Sequence, residues 1–198
     1  MEKGTKEYRA RGVNHHTFVA SSNYLSDGRS GSLENELAIQ DEASIPTIID
    51  WIRNGRNMTE YLSEIKFLLA NNSARQPAFR THPKVKETGI HSSEEFHTIA
   101  MDIFPAHCSE YPIDIFHIGT DRYAFILPDF SLTHMVLAPD IAIVRFPSEK
   151  ERTEVLKLAK EEEFQFVMNL NQKSYRNAQS WIVTNSKDLL EFYGGIAK

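Results

Sequence analysis

The sequence predicts an α+β protein, a small N-terminal helical unit followed by an antiparallel sheet flanked by helices. Three observations carry that expectation. Between residues 45 and 69 the apolar residues recur at offsets of three and four, the period of a helix with one buried side. Between residues 113 and 146 four short apolar runs are divided by Gly119-Thr120-Asp121, Pro128-Asp129 and Pro139-Asp140, residues that make turns between strands. Beyond Phe146 the helical period returns in a long charged segment. Strands so close together favour an antiparallel meander, because parallel neighbours need a crossover of roughly a dozen residues or more.

Taken in order, residues 1–32 form an N-terminal segment expected to be partly mobile, in which residues 13–25 suit either a strand or a helix. A helical unit spans residues 33–73. Its first piece is 33–40, and its second places Ile45, Ile48, Ile49 and Ile52 on one stripe. Ser44 is expected to cap that helix, Pro46 is tolerated in its first turn, and Asn54-Gly55 supplies the left-handed residue that stops it. Asn57 with Glu60 three residues on predicts a cap for a third helix, with Tyr61, Leu62, Ile65, Leu68 and Leu69 on its apolar face. Residues 74–90 turn basic and proline-bearing and read as a linker. From residue 91 an α+β domain follows. Ser92 and Glu95 are placed to cap a helix carrying Phe96, Ile99, Ala100 and Ile103. Strands are predicted at 113–118, 123–127, 134–137 and 141–146. Ser148 and Glu151 open one long helix carrying Val155, Leu158, Ala159, Phe166, Val167 and Leu170. A fifth strand at 181–184 and a short helix at 187–193 complete the chain.

The bulk properties narrow the function. A net charge of −5 with twelve Phe and two Trp indicates a folded body and argues against a strongly basic nucleic-acid binder, although a local basic patch remains open. No apolar run approaches the roughly 18 to 20 residues of a membrane span, so no membrane partner is expected. The first sixteen residues do not resemble a secretory signal. Cys108 is the single cysteine, which rules out an intramolecular disulfide and a cysteine-rich zinc site. A reducing, cytoplasmic location is the expectation, and no cofactor is implied.

The run GSLENELAIQDEASIPTIIDWIRNGRNMTEYLSEIKFLLA resembles the phage-repressor type of helix-turn-helix found in many bacterial transcription regulators. Leu37-Ala38, Ala43-Ser44, Thr47-Ile48, Trp51, Gly55, Leu62 and Ile65 fall where that family puts its helix contacts, serine cap, trailing glycine and following helix. The resemblance implies a DNA-binding or protein-binding regulator, with Ser44, Thr47, Arg53 and Arg56 as the contact residues and duplex DNA or another protein as partner. The C-terminal domain would then serve sensing or dimerisation. Asp41 and Glu42 depart from the family, which generally has a small apolar residue and a glycine in the turn. An ordinary helical hairpin would account for the same residues.

Read differently, residues 17–52 resemble the latter half of a phospholipase D-like repeat, with Ala20-Ser21-Ser22-Asn23 at a strand end, Asn35-Glu36 supporting the site, 37–40 as a strand and 45–54 as the closing helix. The family's His-x-Lys-x4-Asp element has no counterpart upstream, so this resemblance implies a degenerate, non-catalytic copy.

Other groupings are weaker. His91, Glu94, Glu95, His97, His107 and Cys108 could converge as metal ligands, but neither HExxH nor paired CxxC spacing is present. Asp114, Asp121, Asp129 and Asp140 border the predicted sheet and fit turn chemistry better than acid-base chemistry. Glu64-Ile65-Lys66 matches a metal-dependent nuclease element in spacing, yet lies in a helical pattern.

Overall fold

The computed structural model describes residues 42–74, 82–88, 93–103, 111–119, 123–128, 131, 133–178, 182–184, 188–189 and 192–193. The fold is α+β. Its described residues fall into two compact units, one up to Ile103 and the other from Tyr111 onward.

In the first unit a 3-10 turn at Glu42–Ser44 leads into helix α1, Ile45–Arg53. Ile48 and Ile52 are buried, with Ile45 and Ile49 half-buried beside them, so the isoleucine stripe is the packed side. Asn54 and Gly55 end the helix as expected. Gly55 has φ +67, the Gly55 amide donates to the Ile52 carbonyl and the Arg56 amide to the Trp51 carbonyl, both at 3.0 Å, which is a Schellman closure. A Cβ at Gly55 would meet nothing within 4 Å. Gly55→Ala is therefore expected to cost only the backbone strain of the left-handed region, about 1 kcal/mol, with Gly55→Asn costing less. Thermal unfolding of the two variants checks this, and an unchanged midpoint for the alanine variant would refute it.

Asn57 does not cap the third helix directly. Its Oδ1 accepts from the Thr59 amide at 3.1 Å and closes a second 3-10 turn, Met58–Glu60, after which α2 runs Leu62–Ala74. Tyr61, Ile65, Leu68 and Leu69 are buried, as their spacing predicts. Within the predicted linker, residues Pro83–Thr88 form a short helix, α3. Helix α4, Ser93–Ile103, buries Ile99 and Ala100 and packs against α2, so it sits with the first unit and does not open the second. Lys84 of α3 pairs with Asp102 of α4.

The second unit is built on a three-stranded antiparallel sheet of β1 (Ile113–His117), β3 (His134–Ala138) and β4 (Ile141–Arg145), in the order β1-β4-β3. The order corrects the expected meander. β3 and β4 form a hairpin about Pro139-Asp140, with Ala138 opposite Ile141 and an irregularity between Val136 and Ala138. β1 pairs with β4, Phe116 opposite Ala142. Of the predicted strand at 123–127, Leu127 enters a ladder, Leu127–Pro128 (β2) with Ile182–Val183 (β5), while the Phe125 amide donates to the Pro139 carbonyl at 2.7 Å.

One face of the sheet carries Phe116, Val136, Ala142 and Val144, which join Phe146, Phe125, Phe166, Val167 and Leu170 in a single core. The last three come from α6, Glu163–Asn177, which follows α5, Glu149–Glu161. Sequence periodicity predicts one helix here, whereas the chain breaks at Glu162, with φ −140 and ψ 61. The break lets α6 take its own line over the sheet while α5 stays half exposed. Ser148 caps α5 as expected, its Oγ accepting from the Glu151 amide at 3.2 Å. Arg152 of α5 grips Asp114 of β1 with two hydrogen bonds of 2.5 and 3.1 Å. Asp114 thus serves as a fastening, and Asp140 sits in the hairpin turn 3.4 Å from His117.

Candidate functional site

The residues singled out from the sequence all lie on or beside α1. Pro46, Thr47, Asp50, Arg53 and Asn54 are exposed, and at 3.6 residues per turn they share roughly a third of the helix circumference, opposite Ile48 and Ile52. Thr47 and Arg53 are therefore on one surface, about 9 Å apart along the axis. Arg56 lies beyond the Gly55 turn. Ser44 does not do what its type and position suggest: the preceding 3-10 turn already holds it in a helical conformation, φ −78 and ψ −22, and its hydroxyl makes no capping bond. A capping serine needs an extended backbone to swing its oxygen back onto the helix amides.

Arg56 is engaged within the unit. Its Nε donates to Glu60 Oε2 at 2.5 Å and its guanidinium lies 4.7 Å from the centre of the Trp51 ring, which in turn tilts against Tyr61 at 5.5 Å. Burial raises the pKa of the Tyr61 phenol, with Arg56 opposing and Glu60 adding to the rise. Both partners of the Arg56–Glu60 pair are about half exposed, so its contribution to stability is small. The consequence is electrostatic. Across the surface formed by α1 and the turn after it, Arg53 and Arg56 are matched by Asp50 and Glu60. Such a surface does not concentrate positive potential, which phosphate binding requires.

A second group of polar side chains, which sequence reasoning missed, lies inside the C-terminal unit. His134 is 1 % exposed, Ser131 3 %, Asn171 1 % and Ser174 0 %. His134 Nδ1 is 2.9 Å from Ser131 Oγ and 3.1 Å from Thr133 Oγ1, and its Nε2 is 2.5 Å from Ser174 Oγ on α6. Burial, with a lesser contribution from Lys173, pushes the imidazole pKa down to about 4, so the ring is neutral at pH 7. One turn back on the same helix, Asn171 accepts from the Ile126 amide at 2.9 Å and donates to the Ala124 carbonyl at 2.8 Å. The pairing of histidine with serine has the composition of a nucleophilic site, but a nucleophile must meet its substrate and these hydroxyls are shut in. Their role is to join β3, the segment at 124–126 and α6. A histidine within an apolar strand and two small polar residues three apart on an apolar helix face were the available signals.

Of the grouped metal-ligand candidates, His91, His107 and Cys108 lie outside the described residues, and among the described residues no cluster of three or more His, Cys, Asp or Glu side chains could hold a metal ion. Among those residues, too, no helix is long and apolar enough to cross a membrane. The stretch at 37–40, whose conformation separates the two family resemblances, is also outside them. No protein-family model, curated protein or solved structure gives a match to this chain.

Proposed function

We propose that this protein is a regulatory binding protein whose helical unit docks on another protein through the exposed surface of α1, with Thr47 and Arg53 at the contact. The observation that supports this reading is the charge balance of that surface: Asp50 and Glu60 offset Arg53 and Arg56, and Arg56 is already held by Glu60 and Trp51. Duplex DNA, the other partner that a helix-turn-helix resemblance implies, would meet an aspartate on the same face as its phosphate contacts. A protein surface tolerates mixed charge and gains register from it.

The test places a photo-crosslinking amino acid at Thr47 in the full chain in cells. A crosslinked protein of one discrete mass is expected, with its yield reduced at least tenfold by Arg53→Glu and unaffected by a charge reversal at Lys157 on α5. Absence of a discrete product would overturn the reading. So would retention on random-sequence duplex DNA at low salt that falls steeply as salt is added and disappears in an Arg53→Ala/Arg56→Ala double variant.

A further inference from the structure

We propose that His134 is an acid-sensitive latch between β3 and α6, closed while the ring is neutral and opened when it takes up a proton. The geometry carries this. In the neutral ring one nitrogen donates and the other accepts, and the two buried serines match that pattern: one hydroxyl oxygen accepts from the ring N–H while the other hydroxyl donates to the bare nitrogen. A proton taken from solvent turns both nitrogens into donors. The hydroxyl that had been donating must then reverse, and the hydrogen bond it gave the ring is lost.

The new charge is also poorly compensated. The ring's hydrogen-bond partners are the hydroxyls of Ser131, Thr133 and Ser174, none of them an anion. On α6 the charged residue that acts on the ring is Lys173; on β4 the cross-strand neighbour is Val144, with Arg145 on the opposite face of the sheet, and beyond Val144 on the ring's own face lies Asp114 of β1, held by two hydrogen bonds from Arg152. β3 itself carries no other titratable side chain, and Tyr175 is the remaining titratable neighbour of Ser174 along α6. The carboxylate of Glu151, on α5, stands 4.0 Å from the Lys173 ammonium. A buried cation with no anionic hydrogen-bond partner favours an open state in which water reaches it. Opening would free the Ser174 turn of α6 from β3, while Asn171, one turn back, holds the same helix to residues 124 and 126 independently.

The direction follows from the depressed pKa. Between the ordinary histidine value of 6.5 and about 4, the open state binds the proton that the closed state refuses. The latch is fully closed above pH 6.5 and loosens as pH falls toward 4. Hydrogen exchange of the full chain, corrected for the intrinsic pH dependence, reads this directly. Protection of amides in α6 and β3 is expected to fall up to tenfold per pH unit across that window, roughly 300-fold in all, while α2 amides in the other unit stay level. His134→Gln should abolish the slope. Should that variant fail to fold, the His134 ring proton followed by NMR in the unaltered chain decides the matter. A ring that titrates near 6.5 with α6 still protected would overturn the latch, as would an equal slope in His134→Gln.

Discussion

Replacing Asn171 with leucine is expected to destabilise the C-terminal unit by about 2 to 6 kcal/mol, because it orphans two buried backbone groups at once. The Asn171 amide is the partner of both the Ile126 N–H and the Ala124 carbonyl, and stands where a neighbouring strand would otherwise be. Each of those groups loses its hydrogen bond without regaining water. Leucine keeps the bulk, so the loss reports hydrogen bonding and not a void. Urea unfolding read through amide protection at 124–126 measures it. A cost below 1 kcal/mol would mean that the segment finds other partners.

The second large effect is expected at Phe166. This ring is 3 % exposed and packs 4.4 Å from Phe116 of β1 and 6.2 Å, nearly edge-on, from Phe125. Phe166→Ala removes a side chain that meets both the sheet and the segment at 123–127, and should cost about 3 to 5 kcal/mol. Phe164 supplies the control from two residues earlier. It is 57 % exposed and touches Tyr123 from outside, so Phe164→Ala should stay within about 1 kcal/mol. Equal losses in the two variants would show that α6 is not seated as described.

Features set by near neighbours in sequence were legible from it. The isoleucine stripe of α1, the stop at Gly55, the Ser148 cap and the Pro139-Asp140 hairpin each depend on residues two to five apart, within reach of periodicity and turn chemistry. The α+β class followed from the same local signals. What the sequence hid depends on distant partners. The bonds from Asn171 reach 45 and 47 residues back, and the bond from Ser174 to His134 reaches 40. Nothing near residue 124 announces that a side chain will take the place of a strand there. The helix break at Glu162 is of the same kind, since it has neither Gly nor Pro to mark it and follows from where α6 must lie. At the candidate site the isoleucine stripe marked the packed side of α1, but nothing in the sequence showed that Arg56 would be drawn onto Trp51 and Glu60.

The strand order β1-β4-β3 also bears on how the chain is made. β1 leaves the ribosome first, yet its only ladder partner among the described residues, β4, begins 24 residues after His117. At translation speeds of about 5 to 20 residues per second that leaves β1 single for roughly 1 to 5 seconds, an apolar edge open to strands of other nascent chains. Lys and Pro are absent from β1 and Asp114 is its one carboxylate, so the side chain that later fastens Arg152 is also the charge that opposes edge-to-edge pairing along this strand.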